Sequence, residues 1–300
     1  MTIDEFKIKS ILWLIHTFGR LPLKFHYFWG GIVSWLMRGI LHYRRDVVIT
    51  NLARSFPEKQ YGEIRSIASA FYKHLGDIMA EAIWFGASDY KRLKEQRICT
   101  MTNIEVLNEA YENSPSVTVL FSHCGNWEVL GGIWSYNFNE SFDYPCGDDG
   151  VKVVYKKLRS HVWDEVLKKN RCAPLVNYQG EIESERVLRY CIQHRKDRFI
   201  YIFPADQYPY SGVHEVGEFL HQNTKAMQGS VGVAHKLGMS VLYMKMKHVS
   251  RGHYEMTFVP ISMDASKETP EVLLRKYFDL LEEEIRETPY NWLWSHKRWK

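Results

Sequence analysis

The sequence predicts an α/β fold in which an N-terminal helical region precedes a mostly parallel or mixed sheet flanked by helices. Two observations lead to this prediction. Apolar residues recur at steps of three and four positions over residues 58–85, which is the period of an amphipathic helix. From about Cys99 onward, short β-branched runs alternate with helical patterns, and this alternation is typical of a sheet with helices on its faces.

The composition excludes several classes of protein. The chain has 300 residues, of which 45% are hydrophobic and 25% are charged, so it can bury enough apolar surface to fold. A mean hydropathy of −0.33 excludes a polytopic membrane protein. The net charge of +4 gives little support for nucleic acid, and no nucleic-acid partner is predicted. Five scattered cysteines without a C-x-x-C pair indicate neither a zinc site nor a disulfide framework, and they favour a reducing compartment.

Residues 1–42 are predicted to form an amphipathic helical segment that associates with a membrane surface. Aromatic side chains interleave there with lysine and arginine, as an interfacial helix requires. The uncharged runs 10–19 and 25–37 are 10 and 13 residues long, shorter than the roughly 18–20 residues that cross a bilayer. A soluble helical hairpin packed on the core is the alternative.

A second helical region is predicted over residues 43–98, and an α/β domain over residues 99–300. Pro57 and Glu58 mark the expected start of the long helix. The predicted strands are 116–122, 151–155, 198–203, 240–247 and 254–259. Helical patterns lie around residues 160–170, 181–195, 225–237 and 271–286.

The sharpest motif is the string FSHCGNWE at residues 121–128, which follows a buried strand and precedes a helical run. Sites in open α/β sheets form at the carboxyl ends of strands, where His123 lies. Glu128 falls in the first turn of the following helix, so we expect its carboxylate to face His123. That carboxylate would fix the tautomer of the imidazole and stabilise its protonated form, which allows the histidine to take a proton from a hydroxyl.

Other interpretations of this motif remain open. His123 is alternatively a hydrogen-bonded strand-end histidine, with Glu128 an ordinary first-turn acid. A metal site has less support, because no third ligand is obvious in the sequence. A dyad of Cys124 with His123 is disfavoured, because adjacent residues in an extended segment point to opposite sides.

The motif resembles the H-x4-E box of the bacterial lipid A late acyltransferases, within the lysophospholipid acyltransferase superfamily. Further segments resemble strings of the same family in the same order along most of the chain. They are Tyr43-Arg44-Arg45, Asn51-Leu52, Ser55-Phe56-Pro57-Glu58, Glu81, Val154-Tyr155-Lys156, Asp206-Gln207, Phe219-Leu220 with Thr224 and Gly229, and the terminal segment 294–300. The family usually carries arginine where this chain has Lys156, and it usually has one N-terminal membrane span.

The resemblance implies a glycerolipid acyltransferase-like fold, an activity and a set of site residues. His123 would be the general base and Glu128 its orienting acid, without a metal or other cofactor. An acceptor hydroxyl would attack the thioester of an acyl-carrier protein or of acyl-CoA, and the acceptor would be a lipid A precursor or related glycolipid. The expected substrate-binding residues are Asn126, Lys156, Arg159, Arg171, Asp206, Gln207 and Thr224.

The resemblance also implies a location at the cytoplasmic face of the bacterial inner membrane, as a peripheral or monotopic protein. The sequence leaves two alternatives in function open. The acceptor is alternatively another amphiphile, such as a lyso-aminolipid, a phosphatidylinositol mannoside or a lysophospholipid. The chain is alternatively a non-catalytic lipid-binding protein that keeps the fold.

Overall fold

A computed structural model describes residues 2–175, 178–209 and 213–299. It confirms the α/β class, with helices at the N-terminus followed by a mostly parallel mixed sheet flanked by helices. Lys300, the last residue of the terminal motif, lies outside the described residues.

Five helices precede the first strand. Their bounds are α1 Ile3–Gly19, α2 Leu23–Gly39, α3 Arg45–Ser55, α4 Tyr61–Phe85 and α5 Tyr90–Gln96. The long helix predicted from residue 58 begins at Tyr61, because Gln60 and Glu63 form a reciprocal capping box at its N-terminus. None of the helices in the described ranges is both long and apolar enough to cross a membrane.

Helices α2 and α4 approach each other closely through two glycines. A Cβ atom placed on Gly30 would lie 2.7 Å from the carbonyl oxygen of Gly76, and one placed on Gly76 would lie 2.5 Å from that of Gly30. Neither position therefore has room for a side chain. The contact fixes the N-terminal helices against α4, while many large apolar side chains of α1 and α2 stay exposed.

The main sheet has seven strands in the order β1-β9-β8-β2-β5-β3-β4, and all neighbours are parallel except the antiparallel pair β8 and β9. The strands of this sheet are β1 Cys99–Met101, β2 Val117–Phe121, β3 Val151–Tyr155, β4 Glu181–Glu183, β5 Ile200–Pro204, β8 Ser240–Ser250 and β9 His253–Ser262. A separate antiparallel hairpin comprises β6 Val213–Phe219 and β7 Gln222–Met227. The helices between and after the strands are α6 Ile104–Glu112, α7 His161–Arg171, α8 Val187–Gln193, α9 Gly229–Leu237 and α10 Pro270–Glu287.

All five predicted strands are present, and the differences from prediction have local causes. Strand β4 occupies residues 181–183, where a helical pattern was expected, and α8 begins only at Val187. The hairpin of β6 and β7 escaped prediction because β6 is mostly exposed on both faces, so it carries no alternating apolar pattern. Residues 225–227, expected to begin a helix over 225–237, belong instead to strand β7, and the helix begins at Gly229.

Strand β2 lies at the centre of the sheet, between β5 and β8, and all five of its residues are buried. Phe121 at the end of β2 is in register with Pro204 at the end of β5. The backbone N–H of Ala205 continues the pairing by donating to the carbonyl oxygen of Phe121 at 3.0 Å. The segments that follow these two parallel strands therefore emerge side by side at one edge of the sheet.

Candidate active site

His123 and Asp206 meet at the carboxyl ends of β2 and β5. The Nδ1 atom of His123 lies 2.7 Å from Oδ1 of Asp206, and the backbone N–H of His123 donates to Oδ2 at 2.9 Å. The indole N–H of Trp292 also donates to Oδ2, at 2.8 Å. The Asp206 side chain is only 3% exposed and that of His123 12% exposed. One carboxylate thus holds both the ring and the backbone of the histidine.

The charge of Asp206 is stabilised despite its burial. Burial alone would raise the pKa of its carboxyl group. The charge of His123, the hydrogen bonds from its ring and backbone, and the hydrogen bond from Trp292 outweigh that effect and lower the pKa to about 2. The Asp206 anion accepts a hydrogen bond from Nδ1–H of His123, and in that tautomer Nε2 is the nitrogen that can accept a proton. The side-chain amide of Gln207 donates to that Nε2 at 3.1 Å.

Glu128 does not make the contact expected from the sequence. The bidentate guanidinium of Arg171 binds its carboxylate, with Nε to Oε2 at 2.7 Å and Nη2 to Oε1 at 2.6 Å. The indole N–H of Trp127 donates to Oε1 at 2.9 Å. The expectation that Glu128 contacts the His123 ring is corrected, because the 3₁₀-helix beginning at Trp127 directs Glu128 toward the end of α7, and Asp206 occupies the Nδ1 position instead.

Glu128 still contributes to the electrostatics around His123. Burial opposes its ionisation, but Arg171, the indole of Trp127 and the nearby charge of His123 together lower its pKa. The Trp127 ring, held by Glu128, packs edge-on against the imidazole with ring centroids 5.0 Å apart. Glu128 therefore helps to hold the Trp127 ring against the histidine without a hydrogen bond of its own to the imidazole.

The turn between His123 and Glu128 is fixed by buried groups. Gly125 has a φ of +63°, and a Cβ there would lie 2.8 Å from the carbonyl oxygen of Met246, so only glycine fits this turn. Asn126 is fully buried. It accepts the backbone N–H of Glu128 at 3.0 Å and donates to Glu81 of α4 at 2.6 Å. Asn126 therefore holds the loop, and its contact with substrate stays a prediction.

Glu81 is a buried carboxyl group beneath the turn between His123 and Glu128, here called the motif loop. Tyr27 of α2 donates to its Oε1 at 2.7 Å, and Tyr254 of β9 donates to its Oε2 at 2.8 Å. Burial raises the pKa of Glu81 to about 7, although the hydrogen bonds from Tyr27, Tyr254 and Asn126 counteract part of that effect. The α4 helix, the α2 helix and the sheet are thus connected to the motif loop through one side chain.

A cavity of about 420 Å³ opens beside His123 and extends along strands β3 and β5. Its wall is largely apolar and includes Leu130, Ile133, Trp134, Val153 and Leu175. Four of the expected substrate-binding residues line it, namely Lys156, Arg159, Arg171 and Gln207. Lys156 and Arg159 follow the carboxyl end of β3, so basic groups and an apolar wall occur in the same cavity.

Thr224 lies apart from the lining of this cavity. It belongs to β7, where it is 2% exposed, donates to the carbonyl oxygen of Gln222 at 2.9 Å and accepts from the indole of Trp299 at 2.8 Å. Its hydroxyl is satisfied by these two contacts. Thr224 therefore ties the C-terminal segment to the β6–β7 hairpin, and its contact with substrate stays a prediction.

Trp292 and Asn291 complete the site and were missed from the sequence. Trp292 contacts Asp206, and the Asn291 side chain accepts the backbone N–H of Gly125 at 3.1 Å. Both lie just before the recognised terminal motif, so their proximity to it was the available signal.

Cys124 is fully buried, and burial raises the pKa of its thiol well above the ordinary value. This position does not favour a reactive thiolate.

The described part of the chain contains no cluster of three or more His, Cys, Asp or Glu side chains arranged to hold a metal ion. The model of a protein family described as bacterial lipid A biosynthesis acyltransferase matches residues 8–300. A comparison with curated proteins gives no significant match.

Proposed function

Because the chain belongs to the bacterial lipid A biosynthesis acyltransferase family, it is an acyltransferase, and we propose that it transfers a fatty acyl chain from a thioester to a hydroxyl of a lipid A precursor or related glycolipid. One observation carries this proposal. His123, with its Nδ1 bound by the buried Asp206 anion, lies on the wall of a largely apolar cavity. The cavity volume of about 420 Å³ is within the usual range for small-molecule sites, which is roughly 300–1,000 Å³.

The histidine acts as the base in the proposed reaction. Nε2 of His123 takes the proton of the acceptor hydroxyl as its oxygen attacks the thioester carbonyl carbon. The tetrahedral intermediate then expels the thiolate, the carbon–sulfur bond breaks, and the protonated imidazole returns the proton to sulfur. The products are an ester and a free thiol. Asp206 holds the imidazole in the tautomer whose Nε2 can accept the proton, and it stabilises the imidazolium formed during attack.

The cavity supplies two further requirements of the reaction, a place for the acyl chain and positive charge near the reacting groups. Its apolar wall accommodates the acyl chain, and its basic residues face the developing oxyanion or the phosphates of the substrates. We assign this role to Arg171, Arg159 and Lys156. Glu128 holds the guanidinium of Arg171 in place by a bidentate contact, so its effect on transfer is indirect.

We further propose that α1 and α2 hold the protein on the cytoplasmic face of the bacterial inner membrane. Large apolar side chains on these helices are exposed, including Trp13 at 64%, Phe28 at 65% and Trp29 at 52%. Basic residues lie between them in the sequence. Such a surface suits the boundary between headgroups and acyl chains. The cytoplasmic side is chosen because acyl-carrier protein and acyl-CoA donors are found there.

The test is transfer of a radiolabelled acyl group by the full-length protein. Each donor, acyl-carrier protein or acyl-CoA, is combined with a lipid A precursor, a lyso-aminolipid and a lysophospholipid. The proposal predicts labelled ester on the lipid A precursor, and none with His123→Ala. Transfer only to another amphiphile would reassign the acceptor. Lipid binding without transfer to any acceptor would contradict the proposed activity.

A further inference from the structure

A second cleft, of about 560 Å³, lies where α2 ends and α3 and α4 begin. Three arginines converge on it from these three helices, namely Arg38, Arg45 and Arg65. Among the described residues, those that line it include no aspartate or glutamate, and its remaining wall is formed by small, hydroxyl-bearing and apolar side chains. It shares no lining residue with the cavity beside His123.

The protein itself leaves the charges in this cleft largely uncompensated. Arg38 donates to the hydroxyl of Ser69, and Arg65 lies over the ring of Tyr61 at 5.8 Å, so both contacts are with neutral groups. The nearby acids Glu58 and Glu63 are within 4.0 Å of Lys59. Asp46, the neighbour of Arg45, lies in the first turn of α3 and does not line the cleft, but its charge acts on Tyr72 in the cleft wall. The described lining therefore brings three guanidinium groups together without a carboxylate among them.

The rim of the cleft suits a lipid rather than a small soluble anion. Exposed apolar side chains flank it in the sequence on both sides. Trp35 is 56% exposed, Ile40 54%, Leu41 69% and Tyr61 64%. Trp35 belongs to α2, and Ile40 and Leu41 directly follow its last residue, Gly39, which lines the cleft. If the arginines held the phosphate of a phospholipid, the acyl chains of that lipid would lie next to apolar side chains.

We infer that this cleft binds the phosphate headgroup of an anionic membrane phospholipid. Planar guanidinium groups match phosphate oxygens bidentately, which favours arginine for this purpose. The inference rests on the proposed membrane association and adds a defined headgroup site to it. Binding at this point anchors α2 and the start of α4, the helix that carries Glu81 beneath the motif loop.

The test is co-sedimentation of the full-length protein with two kinds of vesicle, one of phosphatidylcholine alone and one in which part of it is replaced by phosphatidylglycerol. The charge variant is the triple substitution Arg38→Gln, Arg45→Gln and Arg65→Gln. Its control removes three exposed basic residues of the α8 region, by Arg189→Gln, Arg195→Gln and Lys196→Gln. The charge variant should lose about ten- to a hundredfold in affinity for phosphatidylglycerol vesicles, while the control changes much less.

A substitution that leaves the net charge unchanged distinguishes binding in the cleft from general attraction by the net charge of the protein. Gly62 lines the cleft, and a Cβ there has no neighbour within 4 Å, so Gly62→Met adds a side chain to the cleft without changing charge. Gly232→Met in α9 is the matched control, since that Cβ also has no neighbour within 4 Å. The inference predicts that Gly62→Met loses most of the preference for phosphatidylglycerol and that Gly232→Met keeps it.

Four results would overturn the inference. Equal loss in the charge variant and its control would assign the preference to net charge. If Gly62→Met kept its full preference for phosphatidylglycerol vesicles, that preference would likewise be assigned to net charge. Equal binding of the unaltered protein to both vesicles would refute the headgroup site while leaving membrane association intact. Failure of the unaltered protein to bind either vesicle would instead refute the proposed membrane association, and the headgroup site with it.

Discussion

Asp206 and Glu128 are two carboxylates near the same histidine that differ in their partners. Asp206 accepts the ring and backbone hydrogen bonds of His123, whereas Glu128 accepts from Arg171 and Trp127. The sequence motif made Glu128 conspicuous because it lies five residues from His123. The contact with Asp206 joins residues 83 positions apart and depends on the pairing of β2 with β5, which no local pattern specifies.

The Glu128–Arg171 pair leads to a prediction about stability. Arg171→Gln should destabilise the protein by about 1–3 kcal/mol, because it leaves the Glu128 carboxylate without its bidentate partner. Adding Glu128→Gln should restore part of that loss, because the uncompensated charge is removed. Denaturant unfolding of both single variants and the double variant measures this coupling.

The matched control for this pair is Arg186→Gln. Arg186 pairs with Glu183 at 3.5 Å, but its own side chain is 79% exposed, so the loss should be below about 1 kcal/mol. Strict additivity of the Glu128 and Arg171 substitutions would contradict an energetic coupling between the two side chains.

Cys124 provides a second test at the level of a single residue. Cys124→Ala should leave transfer nearly unchanged, because the proposed attack is made directly by the acceptor hydroxyl. Cys172→Ala is a useful comparison, since Cys172 does line the cavity. Mass spectrometry of the enzyme incubated with donor alone provides the measurement. A thiol-linked acyl group at Cys124 would contradict direct attack.

The long helix α4 shows which features the sequence can predict at the scale of an element. Its apolar period identified the helix and placed its end correctly, and only its start differed by three residues because of the Gln60 cap. The strands β2 and β3 were predicted within a residue at each end, since buried β-branched runs are distinctive. Three-residue strands such as β1 and β4 depend on pairing with a neighbour and leave no pattern of their own.

The connection from α4 to the motif loop predicts a pH dependence of stability. The pKa of Glu81 is raised from 4.5 to about 7 in the folded protein. The folded state therefore binds this proton more tightly than the unfolded state. The resulting stabilisation is fully present below pH 4.5 and is lost as the pH rises through 7. Glu81→Gln removes this titrating group, so the free energy of unfolding should change less with pH between 4.5 and 8. The difference from the original protein should amount to about 2–4 kcal/mol over that range.

Unfolding free energies of the two proteins between pH 4.5 and 8 provide the measurement. Glu284, whose pKa burial also raises to about 7, is present in both proteins, so its effect cancels in the difference. Parallel pH profiles for the original protein and Glu81→Gln would show that folding does not raise the proton affinity of Glu81.

At the scale of the whole molecule, the exposed apolar side chains of α1 and α2 form the proposed membrane contact. Replacing Trp13, Phe28 and Trp29 with serine should lower vesicle co-sedimentation strongly, because apolar burial supplies much of the interfacial binding energy. Salt should release part of the unaltered protein, since basic residues near an anionic surface are screened. Leu188→Ser with Ile192→Ser in α8 is the control, because these side chains are also exposed but lie elsewhere. Equal loss in both sets would contradict a contact specific to α1 and α2.

The central claim is that His123 and Asp206 act as one catalytic unit, and acyl-transfer rates of His123→Ala, Asp206→Ala and the double variant test it most directly. Each single substitution should lower kcat/KM by about 10³-fold or more, and the double variant should be little worse than the poorer single variant. Melting curves of all three proteins confirm that they remain folded. A double variant that loses the product of the two single losses, or an Asp206→Ala variant with nearly unchanged transfer, would contradict the account.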